Sequence, residues 1–303
     1  MSEPVGVLVM AHGTPGHPDE IESFYTRIRR GRPPTPEQLT DLQRRYDAIG
    51  GLSPLTERTA AQVEGIRQAL ATRAPDQFVV TFGAKHTHPF IEDGAAELEK
   101  HGVSRVIGLV LTPHGSSMGS REYLERASNA LEGRVPFTDI PHWFSHPDFV
   151  RLMAERVTDA QTALQTDGPV IFTAHSLPER VRAMGDDYPE QLEASARLVA
   201  EAAGIKDWRV AWQSAGRTPE PWLGPDIRDV VRELGVTPNV NGCVICPIGF
   251  VADHLEVLYD LDIELAAVAH EVGLRITRTT SLNDDPRFTA MLADVVLTAG
   301  TED

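Results

Sequence analysis

The chain reads as an α/β protein: two similar Rossmann-like units with parallel sheets, facing one another across a central cleft. Three observations predict this. Short apolar runs alternate with helix-period segments along the whole chain. Two runs end alike, LVMAHGTP at 8–15 and IFTAHSLP at 171–178, each closing on Ala-His-small-x-Pro. Later echoes keep the same order: Lys85, Pro89 and Phe90 are answered by Arg217, Pro221 and Trp222, and TPHG at 112–115 by CPIG at 246–249. A duplicated α/β unit would bring its strand C-termini to a shared cleft, where ligands of open α/β sheets bind.

The elements follow in order. Residues 5–10, 78–82, 105–111, 170–174, 209–213 and 244–246 are short continuous apolar runs and predict buried parallel strands. Between them, 59–71, 92–101, 191–203 and 226–234 carry helical periodicity and predict crossover helices. The first half carries an extra segment over 16–55. The expected division is a first domain of 1–147 plus 284–303 and a second of 148–283. A helix at 286–299 is expected to pack back on the first domain.

After the turn PIGF, the segment VADHLEVLYDLDIE predicts one helix over 251–264. Glu256, Asp260 and Glu264 then stack on one face, every fourth residue. Like charges at that spacing cost roughly 0.2–0.5 kcal/mol per pair, and a hydrated divalent cation would offset the cost. Val251, Leu255, Leu258, Leu261, Leu265 and Val268 form the core-facing side. Taken alone, the acids read as a solvated helix face, as most charge stripes on amphipathic helices do; the rest of the chain reverses that reading.

Composition narrows the function classes. The 303 residues are 41% hydrophobic and 24% charged, ordinary for a soluble globular protein. No run approaches the roughly 18 apolar residues of a membrane span. The start, MSEPVGVLVMAHGTPG, lacks a basic segment before its apolar run and reads as a first core strand instead of a signal peptide. A net charge of −16 argues against nucleic acid or an anionic membrane as partner. Only two cysteines occur, Cys243 and Cys246, so there is no disulfide framework and a reducing cytoplasm is expected. No long exposed apolar stripe is evident, and a monomer is expected.

His12, His114 and His175 each follow a predicted strand on the cleft side, as does the turn before Glu256. Imidazole and carboxylate together suit a borderline divalent metal such as Fe²⁺. Arg27, Arg29, Arg30 and Arg32, with Arg44 and Arg45, stand out against the acidic background. They are either surface and helix-end arginines or an anion site, where guanidinium forks would take ligand carboxylates.

Motifs along nearly the whole chain resemble the ferrochelatase family: MAHGTP, FYTRIRRGRPPTPE, RYDAIGGLSPL, KHTHPFIED, TAHSLPER, DDYPEQLEASARLVAE, WQSAGRTPEPWLGPD and PIGFVADHLEVLYDLDIE. The chain is most similar to the short bacterial type that inserts iron into coproporphyrin III. The resemblance implies two four-stranded Rossmann-like domains of the chelatase kind around a porphyrin cleft. It implies that His175 is the metal-binding and catalytic histidine and Glu256 the carboxylate beside or opposite it. Asp260 and Glu264 fall on an acidic line that handles hydrated metal. His12, Arg29, Arg45, Tyr46, Ser53 and Tyr123 fall on porphyrin-contacting positions, and Lys85 and His86 border the cleft. The implied reactants are ferrous iron and the porphyrin, with no resident cofactor, and transient contacts with other haem-pathway enzymes are expected. The less favoured alternatives are protoporphyrin IX as substrate, a cobalt chelatase, and a non-enzymatic porphyrin or haem carrier.

Two departures stand out. The short bacterial family usually reads MAYGTP, with a tyrosine where this chain has His12; imidazole is also a competent iron ligand. A [2Fe–2S] cluster, carried by some relatives, needs four cysteines, and Cys243 and Cys246 supply only two. Two buried strand thiols are the simpler reading. The expected chemistry has His175 accept pyrrole protons as a neutral imidazole, with a pKa near ~6.5.

Overall fold

The computed structural model describes residues 3–300. The first sheet holds β1 (Val5–Ala11), β2 (Phe78–Ala84), β3 (Val106–Val110) and β4 (Phe137–Ile140), all parallel, in the order β2-β1-β3-β4. The second holds β5 (Val170–His175), β6 (Trp208–Gln213), β7 (Gly242–Cys246) and β8 (Arg275–Arg278), in the order β6-β5-β7-β8. The two orders are the same topology, so the sequence echoes do mark a duplicated unit. Edge strands β4 and β8 escaped the sequence reading. Both are four residues long and mostly half-buried, with polar residues among the apolar ones, and so carry no apolar run.

Strand alternation divides the core. Val7 and Val9 of β1 face inward to an apolar mass that continues through Trp143, Phe149 and Phe288 to Val170, Phe172 and Val244 of the second sheet. Leu8 and Met10 face the other way, onto Ile91 and Leu98 of α4 (Ile91–Lys100). Ile171, Cys243 and Ile245 do the same in the second unit, under α9 (Ile227–Gly235). Cys243 and Cys246 are thus free thiols in two different apolar clusters, and burial pushes both up to about 12.

Two helices join the units. α6 (Pro147–Leu164) packs on α8 (Tyr188–Ala203), and α12 (Pro286–Ala299) packs on α3 (Leu55–Arg73) in the first unit and on α6. Arg73 of α3 donates to the Ala290 carbonyl of α12 at 2.9 Å. The extra segment forms α1 (Ile21–Ile28) and α2 (Pro36–Ala48). α2 opens with Pro36 after a reciprocal cap: Thr35 Oγ1 accepts from Gln38 N, and Gln38 Oε1 accepts from Thr35 N.

The acidic segment differs from expectation. Residues 251–254 are not helical; α10 is only Leu255–Leu258 and runs straight into a π-helical turn, Asp260–Leu265, before α11 (Ala266–Glu271). Val251, Leu261, Leu265 and Val268 are buried as expected, but within α10 Val257 and the following Tyr259 are buried while Leu255 and Leu258 are only half-buried. The loop ahead of α10 rides on β5. A Cβ at Gly249 would lie 2.5 Å from the Cβ of Ala174, so only glycine fits this crossing.

Candidate active site

His175 closes β5 at the C-terminal edge of the second sheet. Its Nδ1–H donates to the Ser176 carbonyl, which leaves Nε2 pointing at Glu256 Oε1, 3.5 Å away. Its backbone carbonyl accepts from the Tyr188 hydroxyl at 3.0 Å. Glu256 stands in the single turn of α10, between two imidazoles, with His254 Nε2 3.8 Å from its other oxygen. His254 is held by Nδ1–H donation to the Ala252 carbonyl at 2.9 Å and by the Phe250 ring.

This arrangement changes the expected protonation. Burial disfavours charge on His175, but the Glu256 carboxylate, its hydrogen bond and the Ser176 carbonyl outweigh burial and raise the pKa to about 9. Glu256 likewise resists burial and is held well below the usual carboxylate range, chiefly by His175. The resting pair is therefore imidazolium and carboxylate at neutral pH, not the neutral imidazole expected from the sequence.

The acidic line continues from Glu256, but its counter-charge is protein. Arg45 of α2 reaches Asp260 Oδ1 at 3.3 Å and lies 3.7 Å from Glu264 Oε1, with its guanidinium over the Tyr259 ring. Asp260 also accepts from the Ser214 hydroxyl. Ser214 adopts a left-handed φ of 58° immediately after β6. Burial, together with the Glu256 charge, still raises the Asp260 pKa to about 6. Asp41 holds Arg45 from behind at 3.1 Å, and also binds Arg44 and Arg217, each at 2.8 Å.

The first unit supplies the opposite wall. His12 ends the β1 side of the cleft, its ring 4.7 Å from His86 and 5.8 Å from Phe24. Loss of hydration lowers the pKa of His12, and that of His86 to about 3. The Glu256 charge reaches His12, Tyr46 and Tyr123, favouring the protonated form of each. Lys85 lies 4.9 Å over the Tyr123 ring and pairs with Glu122 at 2.8 Å. Tyr46 is buried, with its hydroxyl 3.4 Å from Thr14 Oγ1, and Ser53 Oγ accepts from Leu55 N at 3.3 Å. Arg29 lies over the Tyr25 ring and donates to the Arg32 carbonyl. Among the described residues, Arg27, Arg29, Arg30 and Arg32 have no carboxylate in salt-bridge reach.

One expectation needs correction. His114 does not face the cleft: it is 1% exposed, stacked 5.5 Å from Phe144 and edge-on to Tyr188, and neither ring nitrogen has a hydrogen-bond partner. Burial lowers its pKa to about 3. Arg45 lies within salt-bridge distance of both Asp260 and Glu264, the acids whose spacing suggested a hydrated cation. Among the described residues, no cluster of three or more His, Cys, Asp or Glu side chains is arranged as a metal cage. A cavity of about 620 Å³ lies behind Phe24, lined by Thr14, Arg27, Leu55 and Val63, apart from His175 and Glu256. No helix among the described residues is long and apolar enough to cross a membrane. His254 and Ser214 were missed as site residues; the signals available were DHLE and the WQSAG strand end.

Known proteins bear on this site in two ways. By fold, the chain superposes on SirB from Bacillus subtilis with a TM-score of 0.61 at 12% identity, covering 98% of this chain and 96% of that one. CbiX gives 0.54 at 16% identity over 97% and 99%. By sequence, it is 44% identical to the coproporphyrin III ferrochelatase of Bacillus subtilis (strain 168) over 97% of both chains. It is 46% identical to that of Geobacillus thermodenitrificans over 97% of this chain and 95% of the relative. The ferrochelatase of Herpetosiphon aurantiacus is 43% identical, over 98% of this chain and 99% of the relative. The sequence profile of the Ferrochelatase family matches residues 4–299, and this chain belongs to that family.

Proposed function

We propose that this chain inserts Fe²⁺ into coproporphyrin III to give Fe-coproporphyrin III in haem synthesis. The observation that carries the reading is the His175–Glu256 pair, 3.5 Å apart at the end of β5 and continued by Asp260 and Glu264, in a chain 44% identical to a coproporphyrin III ferrochelatase. Ferrous iron and porphyrin are both substrates here, and no resident cofactor is needed. A monomer acting in the cytoplasm, divided into 1–147 plus 284–303 and 148–283, remains our working description.

The geometry supports the following roles. Arg29, Tyr46, Ser53, Tyr123 and His12 form the wall against which the anionic macrocycle lies. Arg45 belongs to this wall and to the acidic line at once, so it couples the porphyrin side to the metal side. Cleft walls that hold the macrocycle bent would expose pyrrole nitrogens, a distortion drawn from binding energy. Iron is handed from Glu264 and Asp260 to Glu256 and His175. The dication's field favours loss of the His175 proton to solvent water, which frees Nε2. As iron enters, the two pyrrole protons pass to His175 Nε2 and the Glu256 carboxylate, and from these to water.

Anaerobic iron insertion, with coproporphyrin III and protoporphyrin IX compared by kcat/KM, tests the reading. A strong preference for coproporphyrin III is expected. A preference for protoporphyrin IX overturns the substrate, and tight porphyrin binding without turnover points to a carrier. A His175→Ala variant is expected to bind porphyrin normally and lose insertion by about 10³-fold or more. Turnover within a few-fold of wild type would remove His175 from the mechanism.

A further inference from the structure

We propose that Thr173 and Gln213 are positioning residues for Glu256, forming a buried hydrogen-bond chain that fixes where its carboxylate stands relative to His175. The inference rests on the reading of Glu256 given above. Thr173 lies two residues before His175 on β5 and is fully buried; Gln213 ends β6, is 1% exposed and pairs with His175 across the sheet. Thr173 Oγ1 donates to Gln213 Oε1 at 2.8 Å. That contact fixes which way the amide faces, so Gln213 Nε2 donates to the backbone carbonyl of Glu256 at 2.9 Å.

The turn carrying Glu256 has little support of its own. α10 is four residues long, starts at His254 without a side-chain cap and passes directly into the π turn. So short a helix does not persist unless tertiary contacts hold it. Thr173 holds both ends of the segment that leads to Glu256. Its carbonyl accepts from Gly249 N at 3.0 Å, and its hydroxyl acts through Gln213 on Glu256. The same strand carries His175, so imidazole and carboxylate are located by one frame.

The test uses the full chain with Thr173→Val, which keeps shape and removes the donor, Thr173→Ser, which keeps the hydroxyl, Gln213→Leu, and the Thr173→Val/Gln213→Leu double variant. Anaerobic insertion into coproporphyrin III gives kcat and the KM for Fe²⁺, and fluorescence quenching gives porphyrin affinity. Thr173→Val is expected to lower kcat/KM for iron by about 5- to 50-fold with porphyrin affinity within about 2-fold of wild type. Thr173→Ser should recover most of that loss, and the double variant should be no worse than Gln213→Leu, because one chain is cut twice. Wild-type iron kinetics in Thr173→Val, multiplicative losses in the double variant, or parallel loss of porphyrin affinity would each overturn the inference. If Gln213→Leu does not fold, the Val and Ser variants at 173 decide it. Glu256→Gln is run alongside: retained turnover there removes the role of Glu256 and this inference with it. An inactive Glu256→Gln beside a wild-type Thr173→Val removes only the positioning.

Discussion

At the scale of single residues, the site is governed by which charge is neutralised by what. The His175 pKa is raised to about 9 against the pull of burial because Glu256 is beside it. Glu256→Gln should therefore lower the His175 pKa markedly, since only the Ser176 carbonyl and Asp260 then oppose burial. Histidine-resolved NMR titration reads this directly, and an unchanged pKa would mean that Glu256 is not the partner. The sign for stability follows. The His175 share of the pair's contribution to folding is fully present below about 6.5 and is lost as pH climbs through about 9, while the Glu256 share, its pKa depressed, is fully present above the ordinary value of 4.5 and is lost as pH falls below it. Asp260 titrates near 6, so its charge, and with it attraction for iron, grows as pH rises through that value. The kcat/KM for Fe²⁺ should rise with pH across 6, and Asp260→Asn should flatten that limb. A limb that persists in the variant assigns it to another group. Much of this was legible in the sequence, because a strand end followed by Ala-His-small-x-Pro places the histidine at the cleft edge. The direction of a side chain was not legible. His114 also follows a strand, yet it turns inward against Phe144 and Tyr188. Arg45 was readable as a basic residue for ligand carboxylates, but not as the counter-charge of Asp260, a contact that joins residues 215 positions apart.

At the scale of elements, periodicity identified the six apolar strands and the main crossover helices to within a few residues. It failed where a segment is short or departs from the α repeat. The half-exposed β4 and β8 complete each sheet through edge pairing alone. The π turn at Asp260–Leu265 could not be read from a four-residue spacing, since the same acids fit a continuous α-helix. π-helical turns occur frequently at functional sites, and here the turn places Asp260 against both Arg45 and Ser214. On the facing unit, α2 delivers Arg45 and Tyr46 from its last turn, so its N-terminal cap sets their position. Thr35→Ala removes one half of that cap and should cost about 1 kcal/mol of stability. It should also weaken coproporphyrin III binding, read by denaturation midpoint and fluorescence quenching together. A lower midpoint with unchanged porphyrin affinity would show that α2 holds its last turn without help from its first.

At the scale of the whole molecule, two reactants of opposite charge must enter one cleft in a protein of net charge −16. The fold meets this by separating its charges between the two units. Among the described residues, Arg27, Arg29, Arg30 and Arg32 stand without carboxylate partners around the end of α1, on the first unit. Glu256, Asp260 and Glu264 run along the second unit, where the overall negative field also favours a dication. The duplicated topology makes this separation natural, since each sheet presents its own strand ends to the cleft. The long-range part of these fields acts through solvent and is screened by salt within about 8–10 Å at 0.1–0.15 M. Raising ionic strength from about 50 to 500 mM should therefore increase the KM for Fe²⁺ and for porphyrin alike. The porphyrin effect should be larger for coproporphyrin III, with four carboxylates, than for protoporphyrin IX, with two. Replacing Arg30 and Arg32 by glutamine should shrink that difference while leaving the iron term in place. Steady-state insertion at graded salt, run with both porphyrins, checks it: equal shifts for the two substrates would mean that the arginines do not read carboxylate number, and that selection lies deeper in the cleft.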